Sequence, residues 1–194
     1  RSGGTRYIFA SPGLASCRRR PLSSNVRRHI PTAMVTLLPM DFDEFPGFFE
    51  QATLLFASEN VAAGRWTEAG SIERSRVENS RLLPEGIATA GQFLFQVTVA
   101  GLPSPVGYLW LAEMPRGSNM FAFVCQIFIN VEHRRKGYAR STLQAAEQFA
   151  INRGLSGIGL HVFAHNSGAQ GLYRALGYHA TSMNMFKSLG GSDA

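Results

Sequence analysis

A cationic turn in the 194-residue chain has the residue types that bind a diphosphate. A long apolar run ends at Val131, four basic residues follow, and a helical pattern begins after Gly137. The first amides of a helix have no internal partner and form the positive end of its dipole, and a nearby glycine leaves the backbone open to an anion. The basic residues are Arg134, Arg135, Lys136 and Arg140. The alternative is a solvated turn that only begins a helix. The segment does not have the spacing of a Walker loop.

A second segment, residues 160–178, places an asparagine and a tyrosine on a strand-to-helix unit. Asn166 stands where its side chain can cap the helix or bind an amide of a ligand. Tyr173 lies at the edge of an apolar stripe that includes Leu172 and Leu176. A phenol in this position can give a proton to a leaving group, or it can simply fill the core.

Together, the two segments resemble the signatures of the GNAT superfamily of acetyl-coenzyme A-dependent N-acetyltransferases. The first has the form Arg-x-x-Gly-x-Ala, and the second has the form Asn-x-x-Ala-x-x-Leu-Tyr-x-x-x-Gly-Tyr, about thirty residues further on. The matching residues are Arg134, Gly137 and Ala139, followed by Asn166, Ala169, Leu172, Tyr173, Gly177 and Tyr178. The resemblance covers residues 34–187.

The resemblance implies an α+β fold, an α/β/α sandwich with a mixed, mostly antiparallel sheet and the order β-α-α-β-β-β-α-β-α-β. It also implies acetyl-CoA as co-substrate, no metal, and direct attack by an amine, for which we expect a small molecule. Tyr173 would be the catalytic residue and would protonate the departing thiolate. The implied cofactor-binding residues are Ile129 and Val131 beside the pantetheine arm, Arg134, Arg135, Lys136, Gly137, Tyr138, Ala139 and Arg140 around the pyrophosphate, and Asn166.

Neither signature identifies the general base. Many relatives carry a carboxylate on the strand that leads into the turn, where this chain has Gln126. Glu113, His161 and a water molecule are the alternatives, as is an amine of low pKa that needs no base. His161 can equally be a hydrogen-bonded core histidine. We expect Cys125 to be a buried thiol and not a nucleophile.

Hydrophobic periodicity predicts the elements that position these residues. Strands are expected over residues 34–38, 93–99, 106–113, 120–131, 158–163 and 178–187. Helices are expected from Asp43 onward, from a Thr67 cap to Leu83, from about Ala139 to Gly154, and over residues 167–176. The arginines and glutamates of the second helix predict an ion-paired solvent face. Before that helix, Arg65 and Trp66 can recognise a carboxylate or stack on a substrate, and Trp66 can equally pack beneath the loop as part of the core.

Charge and composition divide the chain into a basic leader, residues 1–33, and an acetyltransferase-like domain, residues 34–194. The net charge is +6, but the leader holds seven arginines and no acid, which leaves 12 basic and 13 acidic residues for the domain. The leader is typical of a tag, an upstream segment or a transit peptide. Two cysteines and no apolar run of about 20 residues exclude a disulfide scaffold, a zinc finger and a membrane span. A cytoplasmic location is expected.

Two other functions are compatible with the sequence. Gln126 in place of a carboxylate suits a non-catalytic sensor that binds acyl-CoA. The leader suits a nucleic-acid-directed or ribosome-directed arm on an enzyme that acetylates protein amino termini. Because the domain is nearly neutral, nucleic acid is not expected as a partner. A homodimer is compatible with the resemblance, since dimers are common among similar proteins.

Overall fold

One sheet and four α-helices make up residues 35–187, the part of the chain that the computed structural model describes. The strands are β1 Val35–Pro39, β2 Gln92–Val99, β3 Gly107–Arg116, β4 Asn119–Ile129 and β5 Ile158–Leu160. The helices are α1 Phe45–Ala62, α2 Ser71–Leu82, α3 Tyr138–Asn152 and α4 Ser167–Ala175. The predicted leader lies outside the described residues. Within them, no helix is long and apolar enough to cross a membrane.

The five strands lie in the order β1-β2-β3-β4-β5. The first three pairings are antiparallel, and β4 pairs with β5 in parallel. Gly101 and Gly117 lie in the connections after β2 and β3 with φ of +84° and +62°, a region that glycine enters without steric cost. The parallel pair needs a crossover connection, and α3 supplies it. The sequence therefore builds a meander that ends in one βαβ unit.

Two apolar clusters, one on each face of the sheet, form the core. The α3-side cluster is built on Val97, Leu109, Leu111, Leu143 and Ala146, and the α1-side cluster is built on Met40, Phe48, Leu94, Leu83 and Trp110. Successive residues of β3 alternate between the two clusters, because strand side chains point to opposite faces in turn. The predicted α/β/α sandwich and α+β class are confirmed.

The outer face of α2 is paired by charge, as the sequence predicts. Arg76 lies 2.8 Å from the Glu50 carboxylate of α1, and Arg74 lies 3.5 Å from Glu78. Exposed pairs of this kind contribute only about 0–1 kcal/mol each. The inner contact is polar as well, since the buried Ser75 hydroxyl donates to the Thr53 carbonyl oxygen at 2.7 Å. The sequence patterns do not reveal this buried polar contact.

Several predicted elements differ from the observed ones, and the strand predicted over residues 158–163 already ends at Leu160. Helix α2 begins at Ser71, after Gly70 with φ of +76°, so Thr67 is not its cap. Strand β4 ends at Ile129, because a short 3₁₀ turn begins at Val131. Residues 178–187 form no strand. Their alternating apolar pattern is typical of one, but β5 offers an edge of only three residues, and Met183, Met185 and Phe186 remain 77%, 90% and 95% exposed.

The close approach of β3 and β4 at Gly107 makes this glycine a strong test of the fold. Gly107 pairs with Ile129, and a β-carbon at Gly107 would overlap the Phe128 carbonyl oxygen. We expect Gly107→Ala to lower the free energy of unfolding by about 1–3 kcal/mol, because backbone must move to relieve the overlap. Urea unfolding measures this change. Gly157→Ala is the control, since its added β-carbon meets nothing within 4 Å, and equal losses in the two variants would contradict the prediction.

Candidate active site

Strands β4 and β5 separate part-way along their length. They pair through Ala122 with Ile158, Phe123 with Gly159, and Val124 with Leu160. Strand β5 then ends, whereas β4 continues to Ile129. From residue 125 onward, the β5 side of β4 therefore has no strand partner within residues 35–187. The result is a gap in the sheet that leads from the middle of β4 to the cationic turn.

A β-bulge lies where the gap begins. Trp110 pairs with Gln126 but Leu111 pairs with Val124, so Cys125 is an extra residue in β4. Cys125 packs against the α1-side cluster, and burial raises the pKa of its thiol to about 12. A thiol with this pKa is protonated near neutral pH and is a poor nucleophile. Cys125 is half-buried, and its protonated thiol agrees with a structural role and not with that of a nucleophile.

Native Cys125 is expected to resist alkylation. With a pKa of about 12, only about one molecule in ten thousand carries the thiolate at pH 8. We expect iodoacetamide at pH 8 to leave Cys125 unmodified in the folded protein and to modify it after unfolding in urea, as peptide mass spectrometry can measure. Rapid labelling of Cys125 in the folded protein would contradict the assignment.

The end of β4 presents backbone groups to the gap. The Asn130 N–H donates to the Val106 carbonyl oxygen of the neighbouring chain segment at 2.9 Å, and backbone direction alternates along a strand, so the N–H and C=O of Ile129 point away from β3. The Arg134 Nε donates to the Ile129 carbonyl oxygen at 2.9 Å. The carbonyl oxygen of Val131 accepts from the Arg134 N–H at 3.2 Å. Within residues 35–187, the N–H groups of Ile129 and Val131 are therefore the donors at this end of β4 that have no backbone acceptor.

The backbone of the cationic turn is bent at two residues with positive φ. Arg135 has φ of +62°, the single positive value for a non-glycine among residues 35–187, and Gly137 has φ of +86° at the start of α3. Within the described chain, the amides of residues 135–140 donate to no backbone carbonyl. Consecutive free amides in a turn with left-handed residues form a concave anion-binding nest. Arg135 and Lys136 are exposed beside it, and Arg140 is half-buried.

Arg134 differs from the other basic residues of the turn. Besides its bond to Ile129, its guanidinium lies 5.5 Å from the centroid of the Phe128 ring. The side chain thus folds back along β4 and fastens the end of that strand to the turn. The geometry gives Arg134 a positioning contact in the protein, in addition to its positive charge.

Helix α4 brings the second segment to the same region. The Asn166 Oδ1 accepts from the Ala169 N–H at 3.1 Å, so Asn166 caps the helix while its side-chain NH₂ remains available. Tyr173 is half-buried and packs on the α3-side cluster, which Tyr138 and Ala139 of the cationic turn also contact. Burial raises the pKa of Tyr173, so its phenol stays protonated above the usual range.

The end of α4 fixes Tyr173 through its backbone and its ring. Gly177 has φ of +93°, and the Tyr178 N–H donates to the Tyr173 carbonyl oxygen at 3.0 Å. This arrangement is a Schellman motif, in which the residue after the glycine packs back on the helix. The two tyrosine rings have centroids 5.8 Å apart. The Tyr178 hydroxyl is buried and lies close to the Glu147 carboxylate of α3, whose charge adds to burial in raising the pKa of this phenol.

The alternatives for a general base occupy different positions. The Glu113 carboxylate is paired with the Arg153 guanidinium at 2.7 Å. Arg153 lies just after the C-terminal end of α3, so this pair is remote from Gly137, which lies at the start of the helix. His161 follows β5 directly where the gap opens. Partial desolvation of the ring and the Arg65 charge lower the pKa of His161, which favours the neutral imidazole. His161 is exposed and makes no side-chain hydrogen bond within the described chain, so the prediction of a hydrogen-bonded core histidine is wrong.

Relatives of this chain were found by both sequence and structure. The model of the acetyltransferase (GNAT) family matches residues 62–178. The chain is 33% identical to the N-acetyltransferase YycN of Bacillus subtilis over 155 residues, 80% of this chain and 99% of YycN. It is 32% identical to YdgE of the same organism over 154 residues, 79% and 98% of the two chains. The crystal structure of YycN matches with a TM-score of 0.77 at 32% identity, covering 81% of this chain and 100% of that one.

This chain therefore belongs to the GNAT family of acetyltransferases. It is an N-acetyltransferase, an enzyme that transfers an acyl group. The family generally uses acetyl-CoA as co-substrate. An acetyltransferase structure from Pyrococcus furiosus, 19% identical with a TM-score of 0.60 over 80% of this chain and 99% of that one, shares the fold. The resemblance and fold class predicted from the two signatures are confirmed.

Proposed function

We propose that the chain transfers the acetyl group of acetyl-CoA to the nitrogen of a small primary amine by direct attack, without an acyl-enzyme. One observation carries this proposal. The gap between β4 and β5 leads directly to a run of free amides, residues 135–140, at the start of α3. A linear ligand with a polar arm and a diphosphate fits that sequence of groups, and CoA has this form.

The open end of β4 would bind the pantetheine arm as a strand would. The N–H groups of Ile129 and Val131 would donate to its amide carbonyl groups. These hydrogen bonds would take the place of those that β5, which pairs only with residues 122–124, does not make. On the other side of the gap, the side-chain NH₂ of Asn166 would donate to the same arm. These contacts are predictions that the positions of the three residues support.

The pyrophosphate would sit in the nest formed by residues 135–140. The amides of Gly137, Tyr138 and Ala139 would donate to its oxygens, each charge-assisted bond contributing about 1.5–3 kcal/mol. Arg135, Lys136 and Arg140 would add positive potential, with Arg134 holding the end of β4 in place. Backbone strain at a non-glycine residue is typical of functional turns, and the φ of Arg135 supports this placement.

Tyr173 would act where the thioester breaks. The neutral amine attacks the acetyl carbonyl carbon, the C–S bond breaks as the new C–N bond forms, and the Tyr173 hydroxyl gives its proton to the departing sulfur. Its raised pKa keeps that proton on the phenol at the working pH. The amine must lose one proton, and His161 or a water molecule would accept it, because Glu113 is held by Arg153.

Thermal unfolding with and without acetyl-CoA tests the proposal, together with thiol release in the presence of amines. A ligand that binds the folded state raises the midpoint by an amount that grows with its concentration relative to Kd. Acetyl-CoA should stabilise the protein more than adenine nucleotides do. No shift with any CoA species would overturn the proposal, and binding without turnover over a broad panel of amines would favour the acyl-CoA sensor, which Gln126 keeps open.

Other expectations remain predictions. They are the cytoplasmic location, the homodimer and the acetylation of protein amino termini by an enzyme with a basic arm. The arm, residues 1–33, lies outside the described part of the chain, as does any contact it makes with nucleic acid. No group of three or more His, Cys, Asp and Glu side chains within residues 35–187 is arranged to hold a metal.

A further inference from the structure

The connection between α1 and α2 meets the segment that follows β5. The His165 Nε2 lies 3.0 Å from the Glu59 carboxylate near the end of α1. In the connection itself, the guanidinium of Arg65 lies 5.9 Å from the centroid of the ring of Phe163, which follows β5. Two loops that are about 100 residues apart in the sequence therefore form one surface, built around Arg65, His161 and Phe163, which we call the Arg65 surface.

The Arg65 surface lies beside the gap, on the face of the sheet opposite α3. Ile158 and Leu160 of β5 pack on the α3-side cluster, so strand alternation directs Gly159 and then His161 to the other face. His161 comes directly after Leu160, the last residue that pairs with β4. The His161 ring lies 5.0 Å from the Phe163 ring between centroids, and the Arg65 guanidinium lies 5.9 Å from that same Phe163 centroid.

The charge of Arg65 has no counterion in the described chain. No carboxylate of residues 35–187 lies within 4.0 Å of its guanidinium, which is also true of Arg81 on α2. Arg65 differs from Arg81 in its position beside Phe163. The nearby Glu59 is occupied by His165. Arg65 is exposed, and the Phe163 ring flanks its guanidinium. A flat, weakly hydrated guanidinium beside an aromatic ring is well suited to bind a carboxylate.

Trp66 does not share this role. Its ring packs edge-on against Phe56 at 5.3 Å between centroids, and the Arg74 guanidinium covers it at 4.7 Å. Of the two uses open to Trp66 in the sequence, packing beneath the loop is therefore the one that the contacts support. This packing holds the connection that carries Arg65 against α1.

We propose that Arg65 binds a carboxylate of the acceptor, so that the acceptor is a small amine that carries a carboxylate, such as an amino acid. This inference rests on the proposed function, since the amine must reach a thioester in the gap. Amines with a second ammonium group are disfavoured, because Arg65 would repel that charge.

Matched acceptors test the proposal in the enzyme with residues 1–194. Thiol release from acetyl-CoA is measured with two sets of amines. The first set is phenylalanine, phenylalaninamide and phenethylamine, of which only phenylalanine has a carboxylate. The second set compares the carboxylate of β-alanine with the phosphate of O-phosphoethanolamine. We expect a lower KM for the carboxylated member of each set. Arg65→Gln should raise the KM for phenylalanine about 10- to 100-fold and should leave the KM for phenethylamine unchanged. Because the Arg65 charge also acts on His161, any change in kcat should be the same for both amines. Arg65→Lys should restore part of the loss, and Arg81→Gln, on the exposed face of α2, is the control.

The outcomes separate this inference from the proposed function. If acetyl-CoA neither binds nor releases thiol with any amine, the proposed function is wrong, and this inference with it. If acetyl-CoA binds but no carboxylated amine is acetylated, the inference is wrong and the binding of CoA stands. Equal use of phenylalanine and phenethylamine, preference for the phosphorylated amine, or an unchanged preference in Arg65→Gln would each overturn the inference as well.

Discussion

Tyr173→Phe is expected to lower kcat for thiol release by about 10²- to 10³-fold, the usual contribution of a positioned general acid. The variant keeps the ring that packs on the α3-side cluster and removes only the hydroxyl group with its proton. The thiolate would then have to leave without protonation by this residue. Since the phenol acts on the breaking bond, the KM for acetyl-CoA should change by less than about threefold. Single-turnover kinetics with saturating acetyl-CoA measure the effect on the chemical step.

Tyr178→Phe is the matched control for this experiment. Its ring lies against Tyr173, and its buried hydroxyl lies beside Glu147, so removing it should cost at most about 1 kcal/mol of stability and no activity. A rate in Tyr173→Phe that equals the unaltered rate would contradict the general-acid role. So would an equal loss in both variants, because that result would assign the effect to packing.

The pH dependence of kcat gives an independent readout of Tyr173. The protonated phenol is the active form, and burial raises its pKa above the ordinary value of 10.0. The activity that depends on this proton should therefore persist to a higher pH than with an exposed tyrosine. If kcat of the unaltered enzyme begins to fall below pH 10, and this fall is absent in Tyr173→Phe, the burial of the phenol is contradicted.

Local sequence was sufficient where one short segment determines the geometry. Gly137 and Gly177 both adopt positive φ at helix ends, and the spacing of each to its neighbours indicates a turn before the structure is known. Asn166 caps α4, which is one of its two predicted uses. The placement of residues 134–138 follows from one strand, one turn and one helix in succession. The contacts of these residues with acetyl-CoA stay predictions.

Other features depend on pairing between distant segments, which local patterns do not determine. The bulge at Cys125 exists because the register of β3 against β4 shifts between Trp110 and Leu111. The Arg65 surface joins loops that are far apart in the sequence. The pattern of residues 178–187 favours a strand, but a strand also needs an edge to pair with. The helix start at Ser71 follows from Gly70, whose left-handed conformation ends the preceding loop.

Gly137→Ala is expected to weaken CoA binding by about 10- to 100-fold, which corresponds to the loss of one charge-assisted amide–phosphate bond. Gly137 has φ of +86° and starts α3, so an added β-carbon is strained there although it meets no atom within 4 Å. Relief of that strain would turn the neighbouring amides away from their common focus. Titration calorimetry with CoA measures the change in Kd.

Gly154→Ala separates the effect on binding from the effect on folding. Gly154 lies just beyond the other end of α3, has φ of +70°, and likewise leaves open space for a β-carbon. Both variants should therefore lose a similar free energy of unfolding, about 1–2 kcal/mol, from a left-handed alanine. Only Gly137→Ala should also lose affinity for CoA, because only its amides face the nest. Equal affinities in the two variants would show that the start of α3 does not bind the pyrophosphate.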